Sequence, residues 1–112
     1  MSSKRPLNAL KARASVFAAL GDETRLSMLT KLCNGKPQSI SRLTTGTTLT
    51  RQAVTKHLRV LADAGVVRCT RRGRESLFAL EPKPLEELRV YLDQVSKQWD
   101  DALARLKSFV ED

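Results

Sequence analysis

Apolar spacing changes abruptly at Gly65, and this change limits the folds open to the chain. Before Gly65, apolar residues recur every three or four positions, as in helices that bury one face. Residues 66–80 then form two short runs rich in branched side chains around Arg72-Gly73-Arg74, the pattern of a hairpin. Helical spacing returns from residue 84. The sequence therefore predicts a mainly α fold with a small β-hairpin, in the order α-α-α-α-β-β-α.

Two helices are predicted before residue 36, with a break at Gly21-Asp22. Residues 1–9 lack periodicity and are expected to be a flexible arm, so that the first helix extends from about Leu10 to Leu20. Asp22 is expected to cap the second helix, because its carboxylate can accept from the exposed amides of the next turn. That helix is expected to end near Asn34-Gly35. The apolar positions that predict these helices are Ala14, Phe17 and Leu20 in the first and Leu26, Leu29 and Leu32 in the second.

A short helix and then a stronger one are predicted over residues 39–64. Ser39 is a candidate N-cap of the short helix. After a brief turn, the stronger helix begins near Thr50, and Gly65 suits the left-handed backbone that commonly ends a helix. The inward positions are Ile40 and Leu43 in the short helix and Ala53, Val54, Leu58, Leu61 and Ala62 in the stronger one.

The last predicted helix extends over residues 84–110 and carries a narrow apolar seam. Its apolar residues are three or four positions apart, close to the spacing of a coiled coil. A body this small is not expected to bury the whole seam, so we expect the seam to pack against a second copy of the chain. The seam consists of Leu85, Leu88, Leu92, Val95, Trp99, Leu103, Leu106 and Val110. The single folded domain is thus predicted to comprise residues 10–112.

Charge is distributed unevenly along the chain. The 112 residues include 20 lysines and arginines against 12 acidic residues, a formal net charge of +8. Residues 1–80 hold 15 of the basic residues and 4 of the acidic ones, and residues 51–74 carry seven cations against Asp63 alone. Such a balance favours a polyanionic partner. Aromatic residues make up 4% of the chain, which argues against single-stranded RNA readers that stack bases on aromatic rings.

The element order and the charge together predict a DNA-binding helix-turn-helix with a wing. The helix from Thr50 is thin enough for a major groove, where Arg can make two hydrogen bonds to guanine and Gln two to adenine. Arginines at the hairpin tip are expected to reach phosphates or a narrow minor groove. The predicted DNA-binding residues are Thr50, Arg51, Gln52, Thr55, Lys56, His57, Arg59, Arg71, Arg72 and Arg74.

Two stretches resemble the ArsR/SmtB family of winged helix-turn-helix transcriptional repressors. Residues 20–29, Leu-Gly-Asp-Glu-Thr-Arg-Leu-Ser-Met-Leu, resemble the opening signature of the family. Residues 49–67 resemble its recognition helix and the entry to its wing. The resemblance implies a homodimer joined through the first and last helices, which would place two recognition helices in successive major grooves of an imperfect palindrome. The predicted interface residues are Phe17, Leu88, Leu92, Val95, Trp99, Leu103 and Leu106.

The chain departs from the family pattern in three places. Glu23 stands where the family often has proline, and a negative charge there suits the helix dipole. Thr50-Arg51-Gln52 stands where Ser-Gln-Pro is common, so the docking is expected to be kept but the resemblance does not predict the operator sequence. The short helix is weaker than in the family, since Thr-Thr-Gly-Thr-Thr occupies residues 44–48.

Metal-sensing members of the family carry a cysteine pair in the short helix or a cluster of metal ligands in the last helix. Here the short helix has no cysteine, and the last helix has neither histidine nor cysteine. Zinc needs three or four ligands, which Cys33 and Cys69 do not supply. We therefore expect a metal-independent branch with no metal site and no cofactor, released by an unknown small molecule, a thiol change or another protein.

No catalytic site is predicted. The acidic pair Asp22-Glu23 is interpreted as a helix start, and the sequence has no phosphate loop and no nucleophile–base pair. His57 is interpreted chiefly as a supporting residue of the recognition helix, with a phosphate contact as the alternative. Trp99 is assigned to the core or the dimer contact.

Three alternatives remain open from the sequence. Cys33 and Cys69 could form a thiol-based redox sensor if their sulfurs meet. The high charge would also suit a non-specific DNA-packaging protein, and the apolar seam would suit a module that binds another protein. No apolar run approaches the length of a membrane span, and two cysteines do not make a disulfide framework, so we expect a cytoplasmic protein.

Overall fold

A computed structural model describes the backbone of residues 4–111 and the side chains of residues 9–111. Within residues 4–111, five helices and three strands form a mainly α fold with a small antiparallel sheet, which confirms the predicted fold class. The elements are α1 (Lys4–Leu20), α2 (Glu23–Leu32), β1 (Gln38–Ser39), α3 (Ile40–Thr44), α4 (Arg51–Asp63), β2 (Val67–Arg72), β3 (Glu75–Leu80) and α5 (Pro82–Glu111).

The first helix begins six residues earlier than predicted. Since α1 starts at Lys4 rather than near Leu10, residues 4–9 of the expected arm are helical. Pro6 lies in the first turn, where its missing amide hydrogen costs no helical hydrogen bond. Residues 1–3 of the expected arm lie outside the described residues.

The two predicted N-caps, Asp22 and Ser39, are confirmed, and Thr50, which was predicted only as the start of its helix, is also an N-cap. Side-chain oxygens of Asp22, Ser39 and Thr50 accept from backbone amides three residues ahead, at 3.0, 3.2 and 3.1 Å. Each bond satisfies an amide that would otherwise lack a partner at the start of its helix. Gly65 has a φ of +80°, which L-residues rarely adopt, and its chain reversal leads α4 into β2.

The core lies between the first four helices and the sheet. Leu43, Val54, Leu58, Leu61 and Val66 are completely buried. The inward positions predicted for α3 and α4 are thus confirmed, with Ile40, Ala53 and Ala62 half-buried around them.

Three of the apolar positions that predict α1 and α2 do not contribute to the core of the single chain, and one of them, Phe17, is also a predicted dimer-interface residue. Leu26 is 50% exposed, and Phe17 and Ala14 are also exposed. The core is instead contacted by Val16 and Ala19 of α1 and by Met28, Leu29 and Leu32 of α2. Each of these helices has two adjacent apolar stripes, so spacing alone did not indicate which stripe faces α4.

The sheet has the strand order β1-β3-β2, and both pairings are antiparallel. Strands β2 and β3 pair from Val67 opposite Leu80 to Arg72 opposite Glu75. The two-residue strand β1 adds Gln38 opposite Phe78 on the other side of β3. This third strand was not predicted, since two residues carry no detectable alternation.

Helix α5 projects from this body. Thirty residues make a helix of about 45 Å, and the molecule extends 65 × 40 × 22 Å. Leu88 is the residue of α5 that is buried among the described residues, and every side chain from residue 96 to 111 is exposed. The distal half of the helix therefore has no contact that buries it within the described chain.

Candidate nucleic-acid interface

Helix α4 presents one polar row to solvent. Gln52, Lys56 and Arg59 are exposed and stand four and three positions apart, so they lie along one side of the helix. Among residues 9–111, their side chains have no hydrogen-bond or ion-pair partner. Val54, Leu58 and Leu61 anchor the opposite side in the core. The helix is therefore fixed by one face and offers donors and positive charge on the other.

Two hydroxyls of the predicted DNA-binding residues form hydrogen bonds with the backbone of α4. The Thr50 hydroxyl oxygen accepts from the amide of Ala53 as the N-cap. The Thr55 hydroxyl donates to the carbonyl of Arg51 at 2.7 Å. Both bonds shape the first turns of the helix. The Thr50 hydroxyl keeps its donor and the Thr55 hydroxyl keeps acceptor capacity, so both residues remain predicted DNA-binding residues.

Arg51 contacts the preceding helix α3. Its Nη1 donates to the Ser41 hydroxyl oxygen at 2.6 Å, across the turn of the helix-turn-helix. Ser41 and its neighbour Arg42 are both exposed. Neither residue is among the predicted DNA-binding residues, although the first helix of such a motif commonly crosses the DNA backbone and Arg42 is a cation in that helix.

His57 faces the body. Its Nδ1 lies 3.2 Å from Nη1 of Arg25 and 3.8 Å from Oδ2 of Asp22. A guanidinium only donates hydrogen bonds, so Nδ1 can accept from Arg25 when the ring carries its proton on Nε2. This position is consistent with the supporting role predicted for His57.

Arg25 joins three helices at this point. Its Nε donates to the carbonyl of Ala19 at 2.6 Å, near the end of α1, where a positive charge suits the helix dipole. Its backbone amide donates to Asp22, and its guanidinium meets His57 of α4. The recognition helix is thus held against α1 and α2 through Arg25.

The pKa of Asp22 is lowered from its usual value of 3.8. The chief cause is the hydrogen bond from the amide of Arg25, and the nearby charges of Arg25 and His57 act in the same direction. Asp22 therefore caps α2 as a carboxylate.

The hairpin ends in a tight turn with cations on both sides. Gly73 has a φ of +62° and is the first of the two residues that join Arg72 to Glu75, as in a type II′ turn. Successive strand residues point to opposite faces, so Arg71 and Arg72 carry positive charge to both faces of the ribbon. Arg71, Arg72 and Arg74 are all exposed. The structure thus places the three predicted wing arginines together at the tip.

Most of the predicted dimer residues are exposed or half-buried in the single chain. Leu92, Trp99, Leu103 and Leu106 are 47–63% exposed, as an unpaired seam would be. Phe17 is 38% exposed, and its ring meets Tyr91 of α5 edge-on, with centroids 6.1 Å apart. Val95 is half-buried.

Leu88 departs from the predicted interface. It is 7% exposed and belongs to the core of its own chain, because the first turns of α5 pack on the body.

Cys33 and Cys69 are exposed free thiols. Cys33 caps the end of α2, and Cys69 lies on β2 opposite Phe78. Within the described part of the chain, no group of three or more histidine, cysteine or acidic residues is arranged to hold a metal ion. No helix in that part is both long enough and apolar enough to span a membrane.

Comparison with known proteins identifies the fold and the kind of protein. A family model described as a helix-turn-helix domain matches residues 11–70. The structure superposes on an ArsR-like transcriptional regulator from Rhodococcus sp. RHA1 with a TM-score of 0.75. The two sequences are 37% identical, and the match covers 91% of this chain and 95% of that one.

Two curated relatives are transcriptional regulators. The HTH-type transcriptional regulator Rv2034 of Mycobacterium tuberculosis is 31% identical over 95 residues, 85% of each protein. The uncharacterized HTH-type transcriptional regulator YuzN of Bacillus subtilis is 36% identical over 80 residues, 66% of this chain and 87% of that protein.

Proposed function

Because the chain belongs to the ArsR family of winged helix-turn-helix transcriptional regulators, we propose that it acts as a homodimeric repressor at an imperfect palindrome in a promoter. The observation that carries the proposal is the unpartnered row of Gln52, Lys56 and Arg59 on a helix anchored in the core. A repressor of this kind binds over a promoter and blocks transcription.

Helix α4 enters the major groove in this proposal. Arg51 and Gln52 lie at its N-terminal end, the part of a recognition helix that contacts base edges. Lys56 and Arg59 lie one and two turns farther on, where they would meet phosphates. The wing arginines contact the adjacent backbone or a narrow minor groove.

The dimer forms through α1 and the seam of α5. In support, Trp99, Leu103 and Leu106 are 63, 54 and 61% exposed in the single chain. Side chains of this size left in water lose the stabilisation of burial, about 25 cal/mol for each Å². A second copy with the same seam would cover them symmetrically.

Repression is proposed to be independent of metal. The potential metal ligands support this proposal, since α3 contains no cysteine and α5 contains neither cysteine nor histidine. A redox sensor built on Cys33 and Cys69 gains no specific support, because the described chain holds the two as separate free thiols.

Hydroxyl-radical footprinting of DNA from upstream of the gene tests the proposal. A twofold dimer predicts two protected stretches related by a dyad, with centres about 10 base pairs, or a multiple of that, apart. Uniform protection along the fragment would favour non-specific packaging. Protection of one half-site alone would contradict the homodimer.

A further inference from the structure

We propose that Ser41 of α3 orients Arg51 for base recognition, so that the base preference of α4 depends on both helices of the motif. The inference rests on the proposed DNA-binding function. It assigns Ser41 as a positioning residue for specificity. The observation behind it is the 2.6 Å hydrogen bond from Arg51 Nη1 to the Ser41 hydroxyl oxygen.

Both residues of this hydrogen bond lie on helices whose backbone is held in place. Helix α3 is capped by Ser39, and Leu43 is completely buried. Helix α4 is capped by Thr50, directly before Arg51. The mobile part between these anchors is the arginine side chain itself, which has several rotatable bonds. A single hydrogen bond at its tip therefore selects one direction for the guanidinium.

The bond leaves enough donors for a base. A guanidinium has five N–H donors, and one of them is used by Ser41. A guanine in the major groove needs two, for O6 and N7. Arg51 can therefore keep its bond to Ser41 while it binds guanine with the remaining donors. Restricting the side chain before binding lowers the conformational cost of recognition.

Ser41 suits this role because it is exposed and outside the core. Removing its hydroxyl leaves the cap of α3 and the buried Leu43 unchanged. A loss of base preference in Ser41→Ala would thus be separable from unfolding. Ser41→Thr keeps the hydroxyl and serves as the conservative variant.

The test is selection of bound duplexes from a pool of randomised DNA by the full-length wild-type chain and by Ser41→Ala, Ser41→Thr and Arg51→Ala. We expect the wild type to enrich a motif with a G·C pair that Arg51→Ala no longer prefers, at a cost of about 5- to 150-fold for the wrong base pair. Ser41→Ala should weaken the preference at that same pair by roughly three- to tenfold. Ser41→Thr should restore it.

Three controls identify a merely structural effect. Affinity for random duplex and its salt dependence should be unchanged in Ser41→Ala, because no phosphate contact is removed. Thr45→Ala removes another hydroxyl of the same segment, one that donates to the Ser41 carbonyl rather than to Arg51, and should leave the motif intact. In the Arg51→Ala background, Ser41→Ala should have no further effect on the motif.

The outcomes separate the two proposals. A wild-type motif with an unchanged G·C preference in Ser41→Ala would overturn the positioning role alone. An equal loss for all sequences in Ser41→Ala would also overturn it, since Ser41 would then contact the DNA backbone. If the wild-type chain enriched no motif, the proposed sequence-specific function would fail and this inference with it.

Discussion

The predicted DNA-binding side chains in and next to α4 divide into those bonded within the chain and those that point outward. Thr50, Thr55 and His57 bond to the chain's own helices, whereas Gln52, Lys56 and Arg59 point outward. Residue type indicates that all six could bond DNA. The bonds of Thr50 and Thr55 are local, whereas the contact of His57 with Arg25 depends on how α4 packs on α2.

The contact of Arg51 with Ser41 is likewise one that residue type alone does not predict. The two residues are ten positions apart and meet because the turn folds α3 back beside α4. No spacing rule in the sequence predicts such a pair.

Gln52→Ala should reduce discrimination at one base pair. If Gln52 makes two hydrogen bonds to adenine, its loss should cost about 1–3 kcal/mol at that position. Affinities for the operator and for single-base variants of it measure the change. Gln98→Ala, on the exposed half of α5, is the matched control. Unchanged discrimination in Gln52→Ala would remove this residue from base recognition.

Asp22→Asn should lower the free energy of unfolding by an amount that depends on pH. The lowered pKa means that the folded state favours the carboxylate. The stabilisation is therefore fully present above the ordinary pKa of 3.8 and is lost as the pH falls through the lower folded-state pKa. Asparagine can still cap the helix, so the comparison isolates the charge.

Denaturant unfolding of both proteins at pH 7, 5 and 3, at one protein concentration, measures this difference. We expect wild type to be more stable at pH 7 and 5, with a smaller advantage at pH 3. A difference that stayed constant down to pH 3 would contradict a charge effect at Asp22.

At the scale of elements, the sequence predicted best those features that depend on local chemistry. The caps Asp22 and Ser39 and the reversal at Gly65 lie where a short polar side chain or a glycine is required by the backbone. The early start of α1 and the strand β1 were missed because neither has an apolar pattern. The faces of α1 and α2 were missed because burial depends on which neighbour each helix meets.

The base of the wing belongs to the core through Val67 and Phe78, whereas its tip is charged and exposed. Of the six residues of β2, Val67 is buried and the other five are exposed. Of the two contacts proposed for the wing arginines, contact with phosphates predicts a contribution to DNA binding that is electrostatic and independent of sequence.

Arg72→Ala and Arg74→Ala should weaken binding to operator and random DNA about equally. Each lost phosphate contact should reduce the slope of log affinity against log salt by about 0.9. Titrations at several salt concentrations measure the slope, with Arg105→Ala on α5 as a control for net charge. A slope equal to that of the wild type would count against a wing contact with phosphates.

At the scale of the whole molecule, the exposed seam of α5 contrasts with the well-buried core of the body. The seam was predicted from its spacing, and the structure leaves Leu92, Trp99, Leu103 and Leu106 about half exposed or more. A symmetric dimer would cover the seam and set the distance between two recognition helices. Dimerisation and specific DNA binding are therefore coupled in this account.

Trp99→Ala should shift the chain from dimer toward monomer. A tryptophan at the centre of an interface commonly contributes about 2 kcal/mol or more, which is roughly a 30-fold weaker dimer. Sedimentation equilibrium at low micromolar concentration measures the mass. Gln94→Ala, on the side of α5 away from the seam, should remain dimeric. A dimeric Trp99→Ala at that concentration would contradict the predicted interface.

The central claim is that the molecule distinguishes one DNA sequence from others. Fluorescence anisotropy across a salt series, with DNA from upstream of the gene and a scrambled duplex of equal length, tests it most directly. We expect the chain to bind the upstream DNA about 10³-fold tighter, or more, than the scrambled duplex. Equal affinities with the same steep salt dependence would leave only phosphate attraction and would contradict a sequence-specific regulator of its own promoter.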